Sequence, residues 1–167
     1  SVRHVRSCLP LRVLQTVACS IINAKLDYCN SLLYGTTGAN IAKLQLVQNS
    51  LARLVTGKRR FDHITPVLSE LHWLPVSYRI VYKLATITHR TTLSTAQPAY
   101  LSTCLHRYQS SRTLRSAAHN RLLQPDIRNY RTDFSRRGFS SSAPTIWNNL
   151  PADITDTAIS RGVLPND

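Results

Sequence analysis

The residues able to do chemistry are few acids and many cations: 8 Asp and Glu stand against 21 Lys and Arg. Asp27, Asp62 and Glu70 are isolated from one another, and no paired-carboxylate turn of the kind that holds two metal ions for phosphoryl transfer is present. Asp153, Asp156 and Asp167 fall in or beside a stretch without pattern. There is no glycine-rich phosphate loop, no H-E-x-x-H and no G-x-S-x-G. Asp62-His63 beside Lys58, Arg59 and Arg60 comes nearest to a catalytic group, with a histidine base next to phosphate-binding cations. A His beside an Asp at a helix start serves more simply as a hydrogen-bonded cap, which is the expectation here. Cys29 near Lys25 has no base beside it and reads as a core thiol. No catalytic residue, metal ligand, cofactor or small-molecule substrate is therefore expected.

The cations point elsewhere. Seventeen of them are arginine, whose planar five-donor fork suits phosphate oxygens and stacks on bases. Residues 106–137 hold eight arginines against Asp126 and Asp133, interleaved with Tyr108, Tyr130 and Phe134, and Phe139 follows. Cations that track a backbone beside aromatic faces are what single-stranded nucleic acid binding uses. Arg79, Lys83 and Arg90 fall within about 40° of one another on a helical wheel and predict a basic stripe. The expected nucleic-acid contacts are Lys58, Arg59, Arg60, Arg79, Lys83, Arg90, Arg112, Arg115, Arg128, Arg131, Arg136 and Arg137. A solvated face is the plainer reading of any such stripe.

The elements that must carry these residues follow from composition and period. At 167 residues, 43% hydrophobic and 17% charged, the chain has enough apolar content to fold, and its net charge of +13 self-repels unless it meets a polyanion. No apolar run reaches the roughly 18 residues of a membrane span, because Arg12, Lys25, Arg53, Arg79 and Arg90 interrupt every candidate. No methionine occurs, position 1 included, which predicts a processed chain or, more simply, a piece of something longer. Cys8, Cys19, Cys29 and Cys104 show neither C-x-x-C nor zinc spacing and predict buried free thiols in a reducing compartment.

Leu11, Val13, Leu14, Val17, Ala18, Ile21 and Ile22 share one side of a helix over residues 11–24, ending near 26–30. Gly35 and Gly38 mark a turn. A second helix then aligns Ile41, Leu44, Val47, Leu51, Leu54 and Val55, with Gly57 as its C-terminal cap. Gln48 falls inside that apolar arc and predicts a hydrogen-bonded core amide. A short helix over 64–71 leads through Trp73-Leu74-Pro75 into a long one over 76–92, with Ile80, Val81, Leu84, Ala85 and Ile87 on its apolar side. Further on, 99–105 predicts a short helix; periodicity is poor over 106–137, where short extended pieces at 122–127 and 133–141 or a partly ordered arm are the two expectations. A small helix bounded by Pro144 and Pro151 is expected next, and a frayed tail from Thr155.

Several segments in this order resemble the region after the polymerase core in non-LTR (LINE-type, jockey-like) retrotransposon reverse transcriptases. They are Leu26-Asp27-Tyr28-Cys29-Asn30-Ser31-Leu32-Leu33-Tyr34-Gly35, Leu44-Gln45-Leu46-Val47-Gln48-Asn49, and Ala52-Arg53-Leu54-Val55-Thr56-Gly57. Phe61-Asp62-His63-Ile64-Thr65-Pro66-Val67-Leu68, Leu71-His72-Trp73-Leu74-Pro75-Val76 and Tyr100-Leu101-Ser102 follow, then Arg112-Thr113-Leu114-Arg115-Ser116 and Ala143-Pro144-Thr145-Ile146-Trp147-Asn148-Asn149-Leu150-Pro151. The resemblance covers about residues 3–154.

It implies a helical thumb and the C-terminal segment after it; with the residue pattern, the expectation is a mainly α fold with a helical thumb-like bundle over 1–95, an irregular arginine-rich segment with short strands over 96–154, and a disordered tail over 155–167. In that family the thumb grips the template and primer duplex and the downstream part helps hold element RNA and target DNA. The family's catalytic aspartates lie in the palm and its endonuclease further upstream. Neither is among these residues, so the parent activity, RNA-directed DNA polymerisation, is not expected of this chain. The partners implied are RNA, DNA or their hybrid and a polymerase core supplied by a parent polypeptide, inside the cell in nucleus or cytoplasm, with no membrane. The absence of an amphipathic helix after Thr155 predicts a truncated or read-through copy. The rival expectation is a vestigial or protein-interaction helical module whose charge is idle.

Overall fold

A computed structural model describes residues 10–94, 98–109, 120–126 and 132–155. The architecture is mainly α and divides into two units, Ser1–Ile80 and Val81–Asp167, with the division inside one long helix.

In the first unit, α1 (Leu11–Ala18) starts on Pro10 and runs through a π turn, Cys19–Asn23, into α2 (Ala24–Asp27). The Thr16 and Ser20 hydroxyls donate to the carbonyls of Arg12 and Thr16. Leu14 is buried as its spacing predicts, whereas Val13, about 100° round the helix from it, and Ile21, seven residues on, are exposed. The wider π turn rotates the residues within it away from the 3.6-residue register, so the straight wheel fails there. Cys29 takes a left-handed conformation and ends the run ahead of a 3₁₀ turn, Asn30–Leu33.

Helix α3 (Gly38–Thr56) buries Gln48, Leu51, Ala52 and Val55. Val47, expected on the same arc, is exposed. Gly57, at φ 74°, caps the helix in the left-handed region that a side chain disfavours. Next comes α4 (Ile64–Glu70), whose Val67 and Leu68 join Leu51, Ala52, Val55 and Trp73 in a core completed by Cys19, Leu54, Ile64 and Leu71. His72, also left-handed, lets the Trp73 N–H return to the Leu68 carbonyl at 2.8 Å, which drops the indole into that core.

Two glutamines join this core to the next helix, α5 (Val76–His89). Gln48 is fully buried and donates to the Leu74 carbonyl at 2.8 Å, while its own carbonyl accepts from Gln45 at 2.9 Å. The Gln45 carbonyl in turn accepts the Val76 N–H at 2.9 Å, so a side chain of one helix caps the start of another. The core amide expected at Gln48 is present. Val76 and Ile80 are buried in this unit.

In the second unit, the rest of α5 buries Leu84 and Thr88, and a π turn, Arg90–Ser94, follows it with Thr91 buried. Val81, expected on the apolar side, is exposed. Thr88, Thr91 and Thr92 return their hydroxyls to carbonyls four residues back, so these polar groups enter the interior satisfied. The short α6 (Ala99–Ser102) precedes an antiparallel bridge between Arg107 and Leu122. Tyr108 N–H donates to Arg121 and Leu123 N–H to His106 on either side of it.

The extended piece expected around Leu122 is thus partly present, but the one expected over 133–141 is helical. Thr132 caps α7 (Asp133–Arg137) through Ser135, and α8 (Phe139–Asn148) follows across Gly138. Ala143, Ile146 and Trp147 are spaced for one helical face, and burying that face outweighs the weak local pattern. Pro144 lies inside α8 rather than at its boundary: it removes one N–H, a cost the helix meets by burying Pro144 itself. Leu105, Leu122, Ala143 and Trp147 form the second core, with Phe139 and Leu150 against it. Residues 152–155 make a further helical turn and Thr155 is buried, so the fraying expected from this residue does not start there; 156–167 lie outside the described residues.

Candidate nucleic-acid interface

Among the described residues, the densest run of cations without an ion pair lies between α3 and α4. Gly57 ends the helix, and Lys58, Arg59, Arg60, Phe61, Asp62 and His63 are all exposed. The turn is held from both sides. Asp62 accepts the Arg59 N–H on its carboxylate at 2.6 Å and returns its own N–H to the Arg59 carbonyl at 3.2 Å. Behind it, the Arg53 guanidinium reaches the Asp62 carbonyl at 3.4 Å. The cap expected of Asp62-His63 is therefore a turn lock: His63 is the N-cap residue of α4 without a side-chain hydrogen bond, and Asp62 secures the loop. Among the described residues Lys58, Arg59 and Arg60 make no ion pair.

The predicted stripe on α5 is split. Arg79 turns inward with its side chain 11% exposed, holding both oxygens of Asp27 at 3.0 and 3.1 Å and donating through Nε to the Leu74 carbonyl at 2.8 Å. Its charge is spent on joining α2 to the Leu74 turn. Lys83 and Arg90 are exposed, and Arg90 begins the π turn. In the second unit Arg136 is exposed at 3.8 Å from Asp133, and Arg137 is half-buried. Arg112, Arg115, Arg128 and Arg131 lie outside the described residues.

The thiols differ from expectation. Cys29 and Cys104 are exposed and Cys19 is half-buried, because Cys29 sits in the left-handed turn after α2 and Cys104 in the turn after α6, neither of which faces a core. Cys8 lies outside the described residues. Among the described residues no three His, Cys, Asp or Glu side chains gather as a metal site, and no helix is long and apolar enough to cross a membrane.

A cleft of about 120 Å³ is lined by Asn120, Arg121, Trp147, Asn148, Leu150 and Thr155. Its polar atoms are largely committed to structure. Trp147 Nε1 donates to the Asn120 carbonyl at 2.7 Å, and Asn120 Nδ2 to the Thr155 carbonyl at 3.3 Å. Asn148 both accepts from the Leu122 N–H and donates to the Leu122 carbonyl, each at 2.9 Å, completing the edge that the Arg107 bridge leaves open. This joint, carried by Trp147 and Asn148, was not foreseen; a Trp-Asn pair on an apolar helix face was its signal.

Also unforeseen was Phe61, 93% exposed at the tip of the basic turn. Its position directly after three cations was the available cue. No protein-family model matches the chain, and neither a curated protein nor a solved structure does.

Proposed function

We propose that this chain is the thumb and post-thumb region of a non-LTR (LINE-type, jockey-like) retrotransposon reverse transcriptase and that it binds RNA, DNA or their hybrid without turnover. The observation that carries the reading is the turn 58–60: three exposed cations without acidic partners on a chain of net charge +13. Unpaired cations held on a fixed backbone gain counterion release on meeting phosphates, and that gain is the main source of affinity in such complexes. The ordered segments resembling that family support its origin. Lys83, Arg90 and Arg136 are further exposed cations, in the second unit, that this reading takes as contacts; Arg79, engaged by Asp27, is left out.

The test is oligonucleotide affinity as a function of salt, by fluorescence anisotropy on RNA, DNA and hybrid. Replacing Lys58, Arg59 and Arg60 together with alanine lowers the log-log salt slope by roughly 0.7 to 0.9 for each phosphate contact removed. Affinity that hardly changes between low and physiological salt would sink the reading. A protein-interaction role is favoured instead by Leu46 and Val47, exposed side by side on α3. Weak binding without preference among hybrid, duplex and structured RNA would side with that role.

A further inference from the structure

The Lys58 to His63 turn has an organisation that phosphate binding alone does not require. A phenylalanine with a structural role buries its ring; Phe61 leaves 93% of its surface in water while its neighbour Ile64 packs into the core. The backbone that presents it is locked by Asp62, through the Arg59 N–H at 2.6 Å, and by Arg53. Arg60 and Phe61 are the two central residues of the Arg59–Asp62 turn and stand at its tip, with Lys58 and Arg59 on the approach. The single carboxylate in the turn accepts a backbone N–H and makes no ion pair with these cations.

We propose that this turn is a single-strand binding site in which Phe61 stacks on an unpaired base while Lys58, Arg59 and Arg60 hold the flanking phosphates. The proposal rests on the nucleic-acid reading above and names the form of nucleic acid that this turn takes. An unpaired base offers a free π-face, and a duplex offers faces already stacked on one another. Adjacent phosphates along a single strand supply an anion for each cation around the ring, so none is desolvated without a partner. An apolar protein surface offers the ring a contact but leaves those three charges unmatched. Because the turn is held before binding, little ordering cost falls on its backbone at contact.

The full chain is tested by anisotropy against a single-stranded oligonucleotide and a blunt duplex of the same length. Phe61→Ala weakens single-strand binding roughly 5- to 150-fold and leaves both duplex affinity and the salt slope unchanged. Phe61→Trp retains single-strand affinity and quenches a 2-aminopurine placed within the strand. The ring is almost wholly in water, so both variants fold, which thermal unfolding by circular dichroism verifies. Equal single-strand affinity for Phe61→Ala and the parent chain overturns the proposal, as does an equal loss on strand and duplex. A change in self-association by sedimentation with unchanged single-strand affinity also overturns it, making Phe61 a protein contact. Salt-independent binding by the parent chain would instead defeat the broader nucleic-acid reading, a result independent of Phe61.

Discussion

Gln48 is the more deeply buried of the two linked glutamines, yet replacing Gln45 is expected to cost more. Gln45→Leu removes the acceptor of the Val76 N–H at 2.9 Å and the donor to the Gln48 carbonyl at 2.9 Å. Both groups belong to buried residues, Val76 at 1% and Gln48 at 0% exposure, and each orphaned group costs about 1 to 3 kcal/mol. A loss of about 2 to 4 kcal/mol follows after some relaxation. Gln48→Leu orphans nothing. The Leu74 carbonyl keeps the Arg79 Nε donor at 2.8 Å, and Gln45 Nε2 keeps Asn49 at 2.8 Å. The remaining effect is one lost hydrogen bond, about 1 kcal/mol, offset in part by a leucine packing near Leu51 and Ala52. In the double variant the Gln48 carbonyl no longer exists to be orphaned, so its cost falls below the sum of the singles by about 1 to 3 kcal/mol. Urea unfolding followed by tryptophan fluorescence reads the order, with the Gln45→Leu midpoint about 1 to 2 M below the parent for a small domain. Equal losses for the two singles, or an additive double, would refute the relay as described.

Arg79→Ala removes a two-pronged ion pair with Asp27 and a bond to Leu74; it is expected to lower stability by about 1 to 3 kcal/mol while leaving the oligonucleotide salt slope unchanged. Urea unfolding and salt titration on the same variant separate these effects. Asn148→Asp keeps the acceptor for the Leu122 N–H but loses the donor to its carbonyl, which costs about 1 to 3 kcal/mol, seen as an earlier thermal transition in Trp147 fluorescence. Gly57→Ala forces a Cβ into φ 74° and lowers stability by about 1 kcal/mol in the same urea assay.

Much of the helical framework was legible because its signals are local. The 3.6-residue apolar spacing of α3 and Gly57 at its end marked that helix, and the polar Gln48 on its buried face announced a satisfied amide. What was not legible depends on partners distant in the chain. Arg79 sat on the predicted basic stripe because spacing shows only which side of a helix a residue occupies; that Asp27 arrives 52 residues away to claim it is a tertiary fact. The small helix around Pro144 is readable from the sequence, but the helical course of 133–141 is not, because Ser-rich, arginine-rich sequence has low local preference. The helices there form by burying Ala143 and Trp147 with Leu122, and by the Thr132 cap. Ile21 was misplaced by the π turn, which no apolar period reveals.

The described residues on which the proposed retrotransposon-polymerase origin rests include many that hold the fold. Asp27 fixes Arg79, Gln45 and Gln48 tie α3 to the start of α5, Trp73 fills the first core, and Trp147 and Asn148 clasp the 120–122 segment. Side chains of this kind repeat whenever the same packing is needed, whatever a surface binds, so they bear on architecture and leave ligand choice to the exterior. Lys58, Arg59, Arg60, Lys83 and Arg136 are on that exterior, and none of them fills a core. Stability and the proposed polyanion affinity therefore fall to separate sets of residues. On that proposal, substitutions at 58–60 abolish binding in a folded chain, and substitutions at Gln45 or Asn148 weaken the fold while the exposed cations remain in place.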